Sequence, residues 1–350
     1  MPIVAVDELV IAPELTDDFV TAIRVGNAVE EITYGTPDLA YEPEEELPYF
    51  TDRFTPTRLV VARVDGRIVG RGVYETRVGE EADTAWLSVL VLPEYRGQGI
   101  GRALADSVES IAREAGKAKG VSYTAIRDAD GPRLDSPTGF GSVPAEDRTV
   151  RFLGARGYSL EQIERVSRMH LPLIGVEKML ATAAAASGDD YRVHTWVGST
   201  PERWIDDLAV LETRMSTDAP SAGLEEPEDV WTRERIIAAD ERNAKSPRTR
   251  LTAAVEHVPS GTLAGYTVLS APRQKNRAVA QYATLVLREH RGHRLGMLLK
   301  VANLEHLARV SPGHPSVTTF NAEENRHMLS VNEAVGFVGI ASESAWRLDL

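Results

Sequence analysis

Two six-residue segments carry the clearest chemistry in this chain. Arg96-Gly97-Gln98-Gly99-Ile100-Gly101 and Arg291-Gly292-His293-Arg294-Leu295-Gly296 each place an arginine before closely spaced glycines. A glycine-rich turn that opens a helix exposes backbone N–H groups at the positive end of the helix dipole, which favours an anion. Glycine also lets a phosphate approach the backbone closely. A tight turn needing positive φ would explain a lone glycine pair equally well, so the context of the two segments decides. Neither ends in Gly-Lys-Ser/Thr, as a nucleoside-triphosphate loop would. Arg102 stands where the pattern G-x-G-x-x-G needs its third glycine.

The elements around these segments repeat. Gly66 and Gly70 recur as Gly261 and Gly265, and Arg96, Gly97 and Gly101 recur as Arg291, Gly292 and Gly296, all 195 positions later. A register held over that span argues for two copies of one unit. Residues 153–158 match residues 332–337 at the shorter offset of 179, so the first copy holds 16 extra residues between loop and match. Residues 127–147, rich in Asp, Gly, Pro and Ser, are the expected site of this insertion and read as a surface loop. Residues 59–64 and 67–74 are strand-like and joined at Asp65-Gly66, a pair suited to a tight hairpin turn. Residues 251–257 and 263–269 form the matching pair. Residues 86–92 and 280–287 are short apolar runs that read as buried strands. After each glycine loop the period changes: Leu104, Val108 and Ile111, like Leu295, Leu299 and Ala302, fall on one helix face. Each copy is therefore strand, glycine loop, helix, with a flanking antiparallel hairpin. The expected class is α+β with a mixed sheet rather than a doubly wound parallel one.

Composition limits the partners. The 350 residues suggest about two domains. The net charge of −13, with no run of Lys and Arg, argues against nucleic acid. The absence of cysteine removes disulfides, thiolate metal sites and a Cys nucleophile. No apolar stretch is long enough for a membrane span, and the first ten residues lack the basic region of a signal peptide; a cytoplasmic protein is expected. His290 and His293, a lone His-x-x-His, read as structural or solvated, so no metal is expected. Neither H-E-x-x-H nor G-x-S-x-G occurs, which disfavours a metallohydrolase or serine hydrolase.

Residues 89–101, with Val91 at the strand end and the loop Arg96 to Gly101, resemble the acetyl-CoA motif of the GNAT N-acetyltransferases. Residues 284–296 are similar, and residues 321–337 resemble that family's later Asn-containing helix ending in Gly-Phe. The resemblance covers both halves and implies two tandem GNAT acyl-CoA N-acyltransferase domains, an arrangement that mycothiol synthases share. The implied division is an N-terminal domain at 1–178, a linker helix at 179–190 in the Ala-rich run, and a C-terminal domain at 191–350. The resemblance implies acetyl-CoA (CoA) as cofactor. The backbone at Val91 and Val286 would pair with the pantetheine arm. Arg96, Gly97, Gln98, Gly99 and Gly101, and Arg291, Gly292, Arg294 and Gly296, would hold the pyrophosphate. The reaction implied is direct attack of a primary amine of a small molecule on the thioester.

Two positions depart from the family's pattern. Arg294 replaces the first glycine of Gly-x-Gly, where its guanidinium either adds a phosphate contact or crowds the pyrophosphate. The family's acid tyrosine would fall at Leu153 and at Asn332, and neither can serve as that acid. Because the second half has more polar candidates, it is expected to be catalytic and the first degenerate. The candidates are Asn325, Asn332 and Asp218, with Asp218 binding an acceptor cation or acting as base unless it is a cap. Gln281 and Tyr282 lead into the second loop. In the first half Glu75 ends a strand. Glu44-Glu45-Glu46 reads as a solvated run that could attract a cationic acceptor. The competing readings are a mycothiol-synthase-type acetyltransferase and a non-catalytic acyl-CoA-binding protein. Two fused copies suggest a monomer with pseudo-twofold domains, a homodimer being the other possibility.

Overall fold

A computed structural model describes residues 4–79 and 82–350. The first half runs through β1 (Val4–Leu9), α1 (Asp17–Tyr34), α2 (Pro43–Phe50), β2 (Thr57–Val64), β3 (Arg67–Thr76), β4 (Thr84–Val91), α3 (Ile100–Glu114) and β5 (Lys119–Ala125). A small hairpin, β6 (Arg133–Asp135) and β7 (Ser142–Pro144), precedes α4 (Arg148–Ala155) and β8 (Ser159–His170). Helix α5 (Val176–Ser187) leads into β9 (Tyr191–Val197), α6 (Ile205–Asp218), α7 (Arg233–Lys245), β10 (Thr249–His257), β11 (Thr262–Ala271) and β12 (Val279–Val286). The chain ends with α8 (Leu295–Val310), β13 (Ser316–Ala322), α9 (Arg326–Val335) and β14 (Val338–Asp349).

Hydrophobic periodicity places these elements. Leu104, Val108 and Ile111 bury one face of α3 against Val60, Ala62 and Val69, while Ile23 and Val25 of α1 pack with Leu59 and Val61. Alternate residues of β2 therefore serve two helices on opposite faces of the sheet. The repeated Gly70 and Gly265 sit where helix and strand crowd. A Cβ on Gly70 would lie 3.0 Å from the Leu104 side chain, and one on Gly265 only 2.5 Å from the Leu285 carbonyl oxygen.

The main sheet has twelve strands in the order β1-β2-β3-β4-β5-β14-β8-β13-β12-β11-β10-β9. It is mixed, because β4–β5 and β12–β13 pair in parallel. The order is symmetric about its centre, and there the halves exchange their last strands. β14 pairs with β5 of the first half, β8 pairs with β13 of the second, and β8 and β14 pair with each other. A division at residues 179–190 thus separates the polypeptide halves but not the halves of the sheet. The Ala-rich run is helical only as far as Ser187. The inserted residues 127–147 hold the β6–β7 hairpin instead of an irregular loop. No helix among the described residues is long and apolar enough to cross a membrane.

Candidate functional site

The first glycine loop opens onto a cleft. β4 and β5 pair only from Thr84–Trp86 to Lys119–Val121 and then diverge. The gap between them is continuous with a cleft of about 820 Å³, lined from both faces of the sheet by α1 and α3. Gly97 and Gly99 adopt φ of 78° and 84° in open space, where a Cβ on either would meet no atom within 4 Å. Gly99 caps α3 without any side-chain capping bond, leaving the first-turn N–H groups free to bind an anion. The Arg96 Nε donates to the Val91 carbonyl oxygen at 2.9 Å, which clamps the turn to the strand end. Val91, Arg96, Gly97, Gly99 and Gly101 line the cleft. Gln98 is not among its lining residues; its amide donates to the Glu94 carbonyl at 3.3 Å.

Arginines gather at this end. Arg102, Arg127 and Arg148 line the cleft and make no ion pair among the described residues, whereas Arg156 is held by Asp106 at 2.7 Å and Glu109 at 2.8 Å. Desolvation and the neighbouring Arg148 lower the Arg96 pKa. Such a concentration of positive charge suits a polyphosphate.

The opposite end is acidic and phenolic. Glu30 and Tyr34 from α1 meet Glu343 from β14, and the Tyr34 hydroxyl donates to Glu343 Oε1 at 3.0 Å. Burial, and then Glu164 on the paired position of β8, push Glu343 up to about 8. Burial and the charge of Glu226 push Glu164 up to about 7. Burial also raises the Tyr34 hydroxyl, and Glu343 raises it further. These residues were not legible as a site: Tyr34 and Glu343 lie 309 positions apart and belong to different copies of the repeat.

The second loop is built the same way. The Arg291 Nε donates to the Val286 carbonyl oxygen at 3.1 Å, repeating the first-half clamp. Arg294 takes the place of Gly99 in a left-handed conformation, φ 56°, which costs a non-glycine residue about 1–3 kcal/mol. Gly292 and Gly296 keep open surroundings. At the position of Ala105, which lines the first cleft, stands Lys300, 2% exposed. Its ammonium nitrogen lies 5.8 Å from the centre of the Phe337 ring. Leu171, Leu173, Val176, Met179 and Leu180, from the connecting segment and α5, pack with Val301, Leu304, Val335 and Phe337. The α5 segment therefore packs directly against α8.

The residues expected to be catalytic in the second half all have partners within the fold. The Asp218 side chain, 6% exposed, pairs with Arg288 at 3.0 Å and Arg291 at 2.8 Å. It neutralises the arginine meant for a phosphate and is not free to act as base. Asn325 caps α9 by accepting from the Met328 N–H at 3.2 Å. Asn332 is 1% exposed and donates to the Asn321 side chain at 2.6 Å inside the fold. His290 and His293 pack around the Tyr191 ring. Gln281 and Tyr282 do reach a cavity, the smaller one between the halves. The Glu44-Glu45-Glu46 run is not uniformly solvated: Glu44 is exposed, Glu45 is buried between Arg248 and Arg277, and Glu46 lines that same cavity.

Comparison with known proteins agrees with this geometry. Residues 27–132 match the model of the Acetyltransferase (GNAT) family. Among solved structures, a tandem GNAT protein from the clavulanic acid biosynthesis pathway superposes with a TM-score of 0.70 at 25% identity, covering 99% of this chain and 98% of that one. A GCN5-related N-acetyltransferase from Sphaerobacter thermophilus gives 0.62 at 15% identity, covering 99% and 95%. A fungal GCN5-related glucosamine N-acetyltransferase region, within a multidomain β-N-acetylglucosaminidase, also gives 0.62 at 16% identity; this chain covers 38% of that one. No curated protein sequence matches the chain. Residues 27–132 thus match the GNAT acetyltransferase family, and the chain as a whole has the fold of a tandem GNAT protein.

Proposed function

We propose that the first half transfers an acetyl group from acetyl-CoA to a primary amine of a small molecule, and that the second half has lost its own acyl-CoA site. The observation that carries this reading is the contrast at one repeated position: Ala105 lines an open cleft, whereas Lys300 is buried beside Phe337 at its counterpart, where α5 packs against the same helix.

The open cradle at Gly97 and Gly99 and the unpaired arginines fit the phosphates of CoA. Arg96 and the free N–H groups of residues 97–101 would hold the pyrophosphate, with Arg102, Arg127 and Arg148 near the remaining charge. Val89 and Val91 would flank the pantetheine arm where β4 leaves β5. Acetyl-CoA, when bound, supplies a thioester that an unprotonated amine attacks with loss of the thiol. A lysine-like amine has a pKa of about 10.4, so it must give up a proton first. The ionised form of Glu343, whose pKa is raised to about 8 and which therefore predominates only above that pH, would accept this proton at the acidic end of the cleft. Leu153 lines the cleft and supplies no acid; a thiol pKa of about 8.5 lets the sulfur leave as thiolate.

Calorimetric titration with acetyl-CoA tests this assignment. One site per chain is expected. Ala105→Lys, which copies Lys300 into the first cleft, should weaken binding by about 100-fold or more, because it fills the groove and buries an unpaired charge. Two sites per chain, or undiminished binding by the Ala105→Lys protein, would overturn it.

A further inference from the structure

A second cavity of about 310 Å³ adjoins the acidic end of the cleft and shares Glu30, Tyr34 and Glu343 with it. Both halves build it: α1, α2 and β3 form one side, and β12, β13 and β14 form the other. Glu46 lines it from α2, and neither its side chain nor that of Glu30 makes a hydrogen bond or ion pair among the described residues. Both are recessed, and burial raises both carboxyls, Glu46 to about 7.

The charges facing this space do not balance. The cationic side chains are Arg71 and Arg248, and Arg248 is engaged by Glu45 at 3.2 Å and by the Ser270 hydroxyl at 2.8 Å. Asp38 is likewise engaged, by Arg168 at 2.9 Å. Among the described residues, Arg71 alone therefore faces the Glu30, Glu46 and Glu343 carboxyls, with those of Glu75 and Glu164 nearby. Tyr41 and Tyr282, whose hydroxyls are joined at 2.8 Å, line the cavity from opposite halves, and Arg248 already lies 4.6 Å from the centre of the Tyr41 ring. A recessed carboxyl without a partner is either protonated or met by a cation, and a ligand ammonium would hold it ionised.

We propose that this cavity receives a dicationic acceptor, a linear diamine or polyamine, with one nitrogen beside Glu343 and its distal ammonium held by Glu46. This deepens the acetyltransferase reading and rests on it for the identity of the reaction, but the binding claim is separable. The second half then contributes the acceptor wall.

The test is calorimetry on the full chain saturated with CoA, using 1,4-diaminobutane and butylamine as probes. The diamine should bind at least tenfold tighter than the monoamine, the scale of one charge-assisted contact. Glu46→Gln should reduce that preference to less than threefold, whereas Glu44→Gln, on the exposed side of the same helix, should preserve it. Unchanged acetyl-CoA affinity in the Glu46→Gln protein reports that it is folded. Equal binding of the two probes, or a diamine preference that survives Glu46→Gln, overturns the proposal. If acetyl-CoA does not bind at all, the acetyltransferase reading falls, and the same two titrations on the CoA-free protein still decide the cavity.

Discussion

At the scale of single residues, Lys300 separates the two halves. A lysine in a helix face packed with leucine and valine gives up water for its charge, and burial lowers its pKa to about 7. In the unfolded chain the value is about 10.4. Between these values the unfolded state binds more protons than the native one, so the group's contribution makes stability rise with pH from about 7 to 10. Below 7 both states are protonated and its full cost is present. Lys300→Met should flatten this slope and stabilise the protein at pH 7 by on the order of 1 kcal/mol or more. Urea unfolding of both proteins at pH 7 and pH 9 measures it; an equal or greater slope in the variant would contradict the assignment. The position was readable by counting 195 residues from Ala105, but its meaning was not. Only the packing of Phe337 and α5 shows that the side chain lies where a ligand would.

At the scale of elements, α2 does two jobs through neighbouring residues. Its first turn is closed by a capping box in which Glu45 returns to the Glu42 N–H at 2.9 Å. The same Glu45 carboxylate is buried between Arg248 and Arg277, so the helix is tied to the second half. Those guanidinium groups hold its carboxyl below the usual range against the opposing effect of burial. Glu45→Ala should cost about 3–5 kcal/mol, because Arg248 remains buried without its partner. The midpoint of urea unfolding gives this value, and a loss under about 1 kcal/mol would show that the ion pairs are dispensable. Three consecutive glutamates cannot be told apart by composition. Helical periodicity sends Glu44 to solvent, Glu45 to the interface and Glu46 to the cavity, and which face meets the other half is set by long-range packing.

At the scale of the whole molecule, the exchange of β8 and β14 joins the halves through three antiparallel ladders. The single covalent connection, residues 188–190, carries little of that attachment. A protease site inserted there and cut after folding should leave both fragments eluting together at the size of the intact chain, without denaturant. Separation into two halves would contradict the exchanged sheet. The exchange also places Glu343, from the last strand, beside Tyr34 of the first helix, so the proposed site needs both copies.

Local patterns determined much of this protein. The strand-turn-helix units, the hairpins on either side of Asp65-Gly66 and Ser260-Gly261, and the anion-binding character of the first loop all follow from periodicity and glycine spacing, which act over a few residues. The 195-residue register was visible too, and with it the two-copy architecture. Tertiary structure alone decided that Ala105 lines a cleft while Lys300 is buried beside Phe337. That depends on where α5 folds back, on which side of the sheet centre the last strands pair, and on the desolvation that gives Glu343 and Lys300 their unusual proton affinities. Burial is a property of neighbours far away in the chain, and polar content counted along the second half could not reveal that Asp218, Asn325 and Asn332 were already bonded to its own arginines, backbone and asparagine.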